Sequence, residues 1–303
     1  MTASPDIFVG LDAGGTKTAV VAQAGGSAHR FVGPGAHALR DGAEGAAETL
    51  AALVGQAREA LGGAAIGGVG VGLAGAGREP EQAAVADALR GRLGNVRVAV
   101  THDADVAFEA VWGAGSGAVL LVGTGSLVYA RTTSGAALRA GGWGLALGDD
   151  GSGAALGRLA LRAALAAHDG GPPTALAEMA AEDGLATPAD LIAAAHAGSL
   201  AAFAPLLLRA AAADDWAATT ILARETNALA QQAGWLATRA QALPAGEAVT
   251  PRLATAGGLT AEPVYRAALD AALARHLPGW ALRTSDHAAA DGALALAKRL
   301  ATV

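Results

Sequence analysis

One structural unit occurs twice in this chain: an apolar strand, a glycine-rich turn and a second apolar strand. The first copy spans residues 7–24 and turns within Asp12–Thr18 (DAGGTKT). The second copy spans residues 118–132 and turns at Gly123–Ser126 (GTGS). Because each hairpin is followed by alternating strand-like and helical patterns, the repeat predicts an α/β chain built from two similar halves.

The remaining segments complete two such halves. Their strand-like and helical patterns follow one another at 30–32 (strand), 41–61 (helix), 66–73 (strand), 81–93 (helix), 96–100 (strand), 104–112 (helix), 137–139 (strand), 152–243 (mostly helical), 252–256 (strand), 262–277 (helix), 280–283 (strand) and 288–300 (helix). One large α/β domain with two coincidental hairpins is the alternative interpretation.

We predict two domains from this order. The first covers residues 1–116, and the second covers residues 117–303 with a helical insertion at about 152–243. We expect the C-terminal helix 288–300 to pack back on the first domain. A length of 303 residues agrees with about two domains.

Charge and cysteine content exclude several kinds of partner and site. The formal net charge is -6 and Lys and Arg do not cluster, so nucleic acid is not an expected partner. With 0 cysteines the chain forms no disulfide, thiolate metal site or Cys-ligated iron–sulfur cluster.

Neither a membrane span nor a signal peptide is expected. The stretch Leu191–Leu208 contains no Asp, Glu, Lys or Arg, but it is rich in alanine and contains Gly198 and Pro205. We predict two helices that meet near Gly198. Because Met1–Asp6 has no basic region followed by an apolar segment, we expect a cytoplasmic protein.

Two familiar nucleotide motifs are near matches that fail. Residues 10–18 resemble a P-loop, but Thr16 separates the second glycine from Lys17, and a strand follows where a P-loop needs a helix. Residues 70–75 fit G-x-G-x-x-G, but they continue into the loop 76–80 rather than into a helix. Neither segment is therefore interpreted through these motifs.

The first hairpin suits a phosphate group without being a P-loop. Backbone N–H groups in a tight glycine turn form a concavity that binds anions, and the absence of side chains lets phosphate approach. Asp12 ends the strand where a carboxylate would hold Mg²⁺ through water, and Thr16 and Lys17 would contact phosphate oxygens. An ordinary hairpin turn is the alternative.

Two further glycine turns extend this interpretation to a whole nucleotide. The turn Gly123–Ser126 would contact the phosphates from the other side, and Gly257-Gly258 would accept the adenosine. The predicted ATP contacts are therefore Asp12, Gly14, Gly15, Thr16, Lys17, Gly123, Thr124, Gly125, Ser126, Gly257 and Gly258.

Asp103 is the predicted general base. It lies where a strand ends and a helix begins, so the helix N-terminus would stabilise its carboxylate. In kinase chemistry an Asp accepts the proton of the substrate hydroxyl. A helix cap is the structural alternative for Asp103, and Asp105 is the competing candidate for the base.

A sugar site is predicted around Trp143. This tryptophan lies between Gly142 and Gly144, and Asp149 and Asp150 follow a few residues later. An aromatic ring can cover the apolar face of a sugar while a carboxylate accepts hydrogen bonds from its hydroxyls. The two acids are alternatively first-turn acids of the following helix.

The order of these motifs resembles the actin-like ATPase superfamily, which includes Hsp70 and hexokinase. More narrowly, the chain resembles the BadF/BadG/BcrA/BcrD group, which contains N-acetylglucosamine and glucosamine kinases. The resemblance covers nearly the whole chain, and the segments that carry it are 12–18, 102–104, 123–126, 142–153, 257–258 and 291–294. It implies two ribonuclease H-like domains with a nucleotide and sugar cleft between them, and use of ATP with Mg²⁺.

The resemblance further implies a homodimeric kinase that phosphorylates the 6-hydroxyl of N-acetylglucosamine. Asp103 then matches the catalytic base, and the positions that match sugar contacts are His37, Asp103, Gly142, Trp143 and Asp149. His37 and Leu127 stand where asparagines are typical of N-acetylglucosamine kinases. Glucosamine is therefore an open alternative substrate, followed by other sugars and by a non-kinase ATPase.

Overall fold

The computed structural model describes residues 6–244 and 246–301. These residues form two compact units. The first unit contains the described residues up to Gly115 together with those from Asp286 onwards, and the second contains Ser116–Ser285. Each unit has its own sheet and its own apolar core.

The first eight elements alternate as the sequence predicts. They are β1 (Ile7–Ala13), β2 (Lys17–Ala24), β3 (Ser27–Pro34), α1 (Ala38–Ala60), β4 (Ile66–Leu73), α2 (Glu79–Leu93), β5 (Val98–His102) and α3 (Asp103–Trp112).

The next group opens with three strands and continues with helices. It contains β6 (Gly117–Val122), β7 (Ser126–Arg131), β8 (Ala137–Gly141), α4 (Gly153–His168), α5 (Ala175–Glu182), α6 (Pro188–Ala197), α7 (Ala204–Ala212) and α8 (Trp216–Gln241). The last elements are β9 (Arg252–Ala256), α9 (Pro263–His276), β10 (Ala281–Thr284) and α10 (Ala289–Leu300).

The two sheets share one topology. The first has the strand order β3-β2-β1-β4-β5, and the second has the order β10-β9-β6-β7-β8, which is the same arrangement written from the opposite edge. In each sheet a three-stranded antiparallel meander is joined to two parallel strands. The predicted duplicated α/β fold is confirmed.

Helix α10 packs directly on the sheet of the first unit. A Cβ atom at Gly10 would lie 2.2 Å from the backbone nitrogen of Leu294, and one at Gly70 would lie 2.1 Å from the carbonyl oxygen of Ala293. Such distances are far inside van der Waals contact, so only glycine at these two positions permits this approach. Gly70, the first glycine of the 70–75 segment, therefore serves helix packing here.

Several element boundaries differ from the sequence prediction. Strand β3 is longer because all of Ser27–Pro34 pairs with β2, although most of its side chains are exposed and give no apolar alternation. Strand β5 runs from Val98 to His102, which places Asp103 at the first position of α3. Helix α4 begins at Gly153 after the capping residue Ser152, so Asp149 and Asp150 lie before the helix.

The apolar stretch 191–208 belongs to two helices, as predicted. Helix α6 ends at Ala197, and α7 begins at Ala204 after Gly198 and a short 3₁₀ turn. Among residues 6–244 and 246–301, no helix has both the length and the apolar character needed to cross a bilayer.

Candidate active site

The β1–β2 hairpin is a tight turn braced by the end of β3. The Gly14 N–H donates to Lys17 O at 3.0 Å, and the Ala36 N–H donates to Gly14 O at 3.1 Å. A Cβ at Gly35 would lie 2.6 Å from the carbonyl carbon of Thr16, so only glycine fits behind the turn. Gly15, Thr16 and Lys17 are exposed at its tip. The hairpin is therefore held in place and open for an incoming ligand.

Arg40 contacts this hairpin, although the sequence analysis did not predict it as a site residue. Its Nη1 donates to Gly15 O at 2.5 Å, while its Nε and Nη2 donate to the two carboxylate oxygens of Asp41 at 2.6 and 2.8 Å. In the sequence the two residues look like solvated charges in the first turn of a helix. Only the return of β3 into α1 brings Arg40 to the glycine turn.

Asp12 and Asp103 lie at one edge of the first sheet. Strands β1, β4 and β5 are parallel neighbours, and their last residues Ala13, Leu73 and His102 are in register. The carboxyl ends of parallel strands are where α/β proteins bind ligands. The structure thus brings together two predicted acids that are far apart in the sequence.

The two acids differ in protonation. Burial raises the pKa of Asp12 to about 7, the negative charge of Asp103 adds to this, and Lys17 opposes it. Burial also favours protonation of Asp103, but hydrogen bonding from His102 and from the Ala104 N–H, with the charges of His102 and His37, holds its pKa below the ordinary value. At neutral pH Asp103 is therefore an ionised acceptor, whereas Asp12 is near its pKa, and a nearby cation would favour its ionised form.

The raised pKa of Asp12 predicts a pH-dependent gain of stability in Asp12→Asn. Because the folded-state value of about 7 exceeds the unfolded value of 3.8, burying this acid costs stability progressively as the pH rises from about 4 to 7. In magnesium-free buffer we expect the free energy of unfolding of Asp12→Asn to exceed that of the natural chain by up to about 4 kcal/mol at pH 8 and to match it near pH 4.

Urea unfolding at both pH values measures this difference. A similar free energy of unfolding for the two proteins at pH 8 would mean that Asp12 is not strained in the folded protein.

His102 is the immediate neighbour of the predicted base. Its Nδ1 lies 2.9 Å from Asp103 Oδ1 and 3.2 Å from the Ala104 nitrogen. The Ala104 N–H also donates to Asp103 Oδ1 at 2.8 Å. In the tautomer with a proton on Nδ1, His102 donates to Oδ1, which leaves Oδ2 for another donor. Asp105 instead accepts a hydrogen bond from Thr101 Oγ1 at 2.5 Å.

His37, a predicted sugar contact, caps helix α1. Its Nδ1 accepts from the N–H groups of Leu39 and Arg40 at 3.2 and 3.3 Å. Its ring packs against Gly75, where a Cβ would lie 2.4 Å from the ring carbon Cε1. The capping role uses Nδ1 and leaves Nε2 as the ring nitrogen available to a ligand.

In the second unit, the β6–β7 hairpin is joined to the start of α4. The N–H groups of Gly153 and Ala154 donate to the carbonyl oxygens of Gly123 and Thr124 at 2.8 and 3.1 Å. The hydroxyl of Ser126 donates to Asp150 O at 2.8 Å. The predicted phosphate turn is therefore fixed by the segment that carries Asp149.

Asp149 connects the hairpin with the tryptophan segment. Its Oδ1 accepts from the Gly144 N–H at 3.2 Å, and its Oδ2 would lie 2.8 Å from a Cβ at Gly125. Burial raises the pKa of Asp149, the amides of Gly144 and Ser126 oppose this by hydrogen bonding, and the charge of Asp150 adds to it. The structure thus brings Asp149, the hairpin 123–126 and Gly144 together.

Trp143 is largely exposed, and a cation lies over one face of its ring. The tryptophan is 64% exposed, and the guanidinium carbon of Arg139 lies 4.4 Å from its ring centroid. Arg139 also donates to Gly142 O at 2.8 Å. Leu127 is buried beneath Gly142, where a Cβ would lie 2.9 Å from its methyl carbon. Leu127 therefore offers no polar group at this place.

The third glycine turn lies at the end of β9, against β6. Gly257 has φ 114°, and a Cβ there would lie 2.2 Å from Val122 O, so only glycine fits. The next residue, Gly258, has open space around its Cα. It borders a depression that is lined by α7, by the short 3₁₀ turn after Gly257 and by the start of α9, and the lining residues include Pro205, Leu208, Arg209, Leu259 and Glu262.

Known proteins are similar to this chain in sequence and in fold. A stretch of 101 residues is 37% identical to an N-acetylmuramic acid/N-acetylglucosamine kinase of Clostridium acetobutylicum, and one of 193 residues is 32% identical to an N-acetyl-D-glucosamine kinase of Dictyostelium discoideum. These stretches cover 33% and 59% of this chain, and only 32% and 60% of the two relatives.

Solved structures extend the likeness over the whole chain. A candidate N-acetylglucosamine kinase from Chromobacterium violaceum has 25% identity and a TM-score of 0.77, over 96% of this chain and 99% of that one. A ROK family glucokinase from Streptomyces griseus has 21% identity and a TM-score of 0.59, over 97% and 99%, and shows the shared fold. The model of one family matches residues 9–297, and the chain belongs to that family, the BadF/BadG/BcrA/BcrD ATPase family.

Proposed function

We propose that this protein is an ATP-dependent kinase that phosphorylates the 6-hydroxyl of N-acetylglucosamine, with Asp103 as the general base. The observation that carries the proposal is the ionised Asp103 carboxylate at the edge of the sheet where β1, with Asp12 as its penultimate residue, leads into the exposed glycine hairpin. Membership of an ATPase family supports ATP as the phosphoryl donor, and similarity to amino-sugar kinases supports a sugar as the acceptor.

Each unit contributes glycine turns that suit parts of ATP. Backbone N–H groups of the hairpins at 14–17 and 123–126 would contact phosphate oxygens, with Lys17 adding a positive charge. The depression beside Gly258 is open and largely apolar in its lining, which suits a nucleobase. Arg40 would keep the first hairpin in shape through Gly15 O.

Asp12 is the residue proposed to hold Mg²⁺, through water. The described residues contain no group of three or more acids or histidines that could hold a metal ion. A single carboxylate fits Mg²⁺, which retains several waters and takes further ligands from substrate phosphates. The cation would neutralise charge on the transferring phosphoryl group. Its charge would also relieve the electrostatic strain on Asp12.

Asp103 would act late in the proton transfer. A carboxylate with a lowered pKa is a weak base, so it orients the hydroxyl and receives its proton as the bond to phosphorus forms. The hydrogen bond between His102 Nδ1 and Oδ1 leaves Oδ2 to accept from the hydroxyl. In a loose phosphoryl-transfer transition state, such positioning supplies most of the rate acceleration that the protein contributes.

In the second unit the sugar would lie on Trp143 and donate hydrogen bonds to Asp149. In the first unit His37 is the proposed sugar contact. The exposed indole face suits the apolar face of a pyranose. Glucosamine is the second candidate, because buried Leu127 provides no amide partner for an acetamido group. A homodimer is also proposed, on the family resemblance alone, and light scattering in solution measures it.

A coupled assay of ADP release tests the choice of sugar. We expect kcat/KM for N-acetylglucosamine to exceed that for glucosamine, N-acetylmannosamine and glucose by about tenfold or more. A higher value for glucosamine would support the second candidate. Equal values for all four would contradict the proposed specificity and leave the kinase activity standing.

A further inference from the structure

Three buried side chains converge on the two residues after Asp149. The Gly151 N–H donates to Glu225 Oε2 at 3.2 Å, and the Tyr265 hydroxyl donates to Gly151 O at 2.7 Å. The Gln232 amide donates to Asp150 Oδ2 at 2.7 Å. Glu225 and Gln232 come from α8, one and a half to two turns of helix apart, and Tyr265 comes from α9.

These side chains are costly to bury. Glu225 and Gln232 are 7% exposed and Tyr265 is 0% exposed. A buried carboxylate, amide or phenol destabilises a protein unless its polar atoms find partners. Each of the three has a partner on the same short turn, and Glu225 Oε1 also accepts from Arg224 at 3.1 and 3.3 Å. The amide oxygen of Gln232 has no hydrogen-bond partner. A core built for stability alone would place apolar side chains here.

The turn they hold has an unusual backbone. Asp149 has φ 60° and Gly151 has φ 71°, both in the left-handed region. Glycine adopts this region freely, but for aspartate it costs energy that surrounding contacts must supply. On its other side the turn is held by the Ser126 hydroxyl, which donates to Asp150 O. The conformation of Asp149 is therefore determined by its neighbours on both sides.

We infer that Glu225, Gln232 and Tyr265 form a clamp of positioning residues that fixes the Asp149 carboxylate for ligand binding. The inference rests on the proposed role of Asp149 in sugar binding. The clamp holds the backbone so that Oδ1 reaches the Gly144 N–H and Oδ2 lies against Gly125. It thereby fixes the spacing between the tryptophan segment and the β6–β7 hairpin.

Conservative variants of the clamp test this inference. Tyr265→Phe and Gln232→Met remove one polar contact each with little change of volume. Thr226→Val is the matched control, because Thr226 is buried on α8 and donates within the helix to Leu222 O, away from the turn. We expect each clamp variant to raise KM for N-acetylglucosamine about tenfold with kcat within about threefold, as for one lost hydrogen bond, and the control to leave both unchanged.

A second pair of variants at Glu225 distinguishes loss of the clamp hydrogen bond from general misfolding. Glu225→Gln keeps an oxygen that can accept from the Gly151 N–H and should retain KM within about threefold, whereas Glu225→Leu should raise it about tenfold. Hydrogen exchange over residues 142–152 should become about tenfold faster in Tyr265→Phe and Gln232→Met and stay unchanged in Thr226→Val. This second readout needs no catalytic activity.

The outcomes separate the clamp from the proposed function. Wild-type KM and wild-type exchange in Tyr265→Phe and Gln232→Met, alongside impaired sugar binding in Asp149→Asn, would overturn the clamp. Wild-type sugar KM in Asp149→Asn would instead refute the proposed role of Asp149. If Thr226→Val raised KM and hydrogen exchange as much as the clamp variants do, the three side chains would contribute only to general stability, and the clamp would be refuted.

Discussion

Replacing Asp103 with Asn is expected to lower kcat by at least about 10²-fold, the usual contribution of a general base. The amide has the same shape as the carboxylate and keeps an oxygen for the Ala104 N–H, so α3 should start unchanged. What is lost is the charge and the acceptor for the substrate proton. The measurement is steady-state kinetics with ATP and N-acetylglucosamine, with circular dichroism as a check of folding.

Asp105→Asn is the matched control for this prediction. Asp105 lies two residues further along the same helix and is hydrogen-bonded to Thr101 Oγ1. We expect this variant to keep kcat within about fivefold. If Asp103→Asn retained more than about a tenth of wild-type turnover while folding normally, the base assignment would be wrong. A large loss in Asp105→Asn alone would exchange the roles of the two acids.

Gly257→Ala is expected to destabilise the second unit by about 3 kcal/mol or more. The added methyl carbon would lie 2.2 Å from Val122 O, and the backbone φ of 114° is unfavourable for alanine. Because the contact is with backbone at the end of β6, no side-chain movement relieves it. Thermal and urea unfolding measure the loss.

Gly258→Ala provides an adjacent comparison. A Cβ at Gly258 meets nothing within 4 Å, and its φ lies outside the left-handed region. We therefore expect stability within about 0.5 kcal/mol of the natural chain. If adenosine lies against this glycine, the affinity for ATP should still fall about tenfold, as calorimetry measures. Equal stability losses in the two variants would contradict the geometry of this turn.

Much of the fold could be predicted from the sequence because the apolar strand patterns and glycine turns coincide with the strands and strand ends of the folded protein. The first strand of each hairpin is followed by glycine, as a tight turn requires, and the apolar run 66–73 appears unchanged as β4. The same signals placed the three glycine turns correctly at strand ends. The bounds of the edge strand β3 were predicted less well, because its exposed side chains show no apolar alternation.

The supporting residues of the site could not be predicted in this way. Arg40 reaches Gly15 only because β3 returns into α1, and nothing at its own position signals this. Glu225 and Gln232 lie in a 26-residue helix, where polar residues ordinarily face solvent. Their burial depends on the loop that packs across α8. Contacts of this kind arise from the tertiary fold rather than from spacing.

The most direct test of the central claim is product analysis by phosphorus NMR after incubation with ATP and Mg²⁺, with and without N-acetylglucosamine. We expect ADP together with a sugar phosphomonoester whose phosphorus coupling to the C6 protons identifies the 6-position. Little ADP should form in the absence of sugar. ADP and inorganic phosphate formed at the same rate with or without sugar would contradict the kinase assignment and favour an ATPase without a sugar acceptor.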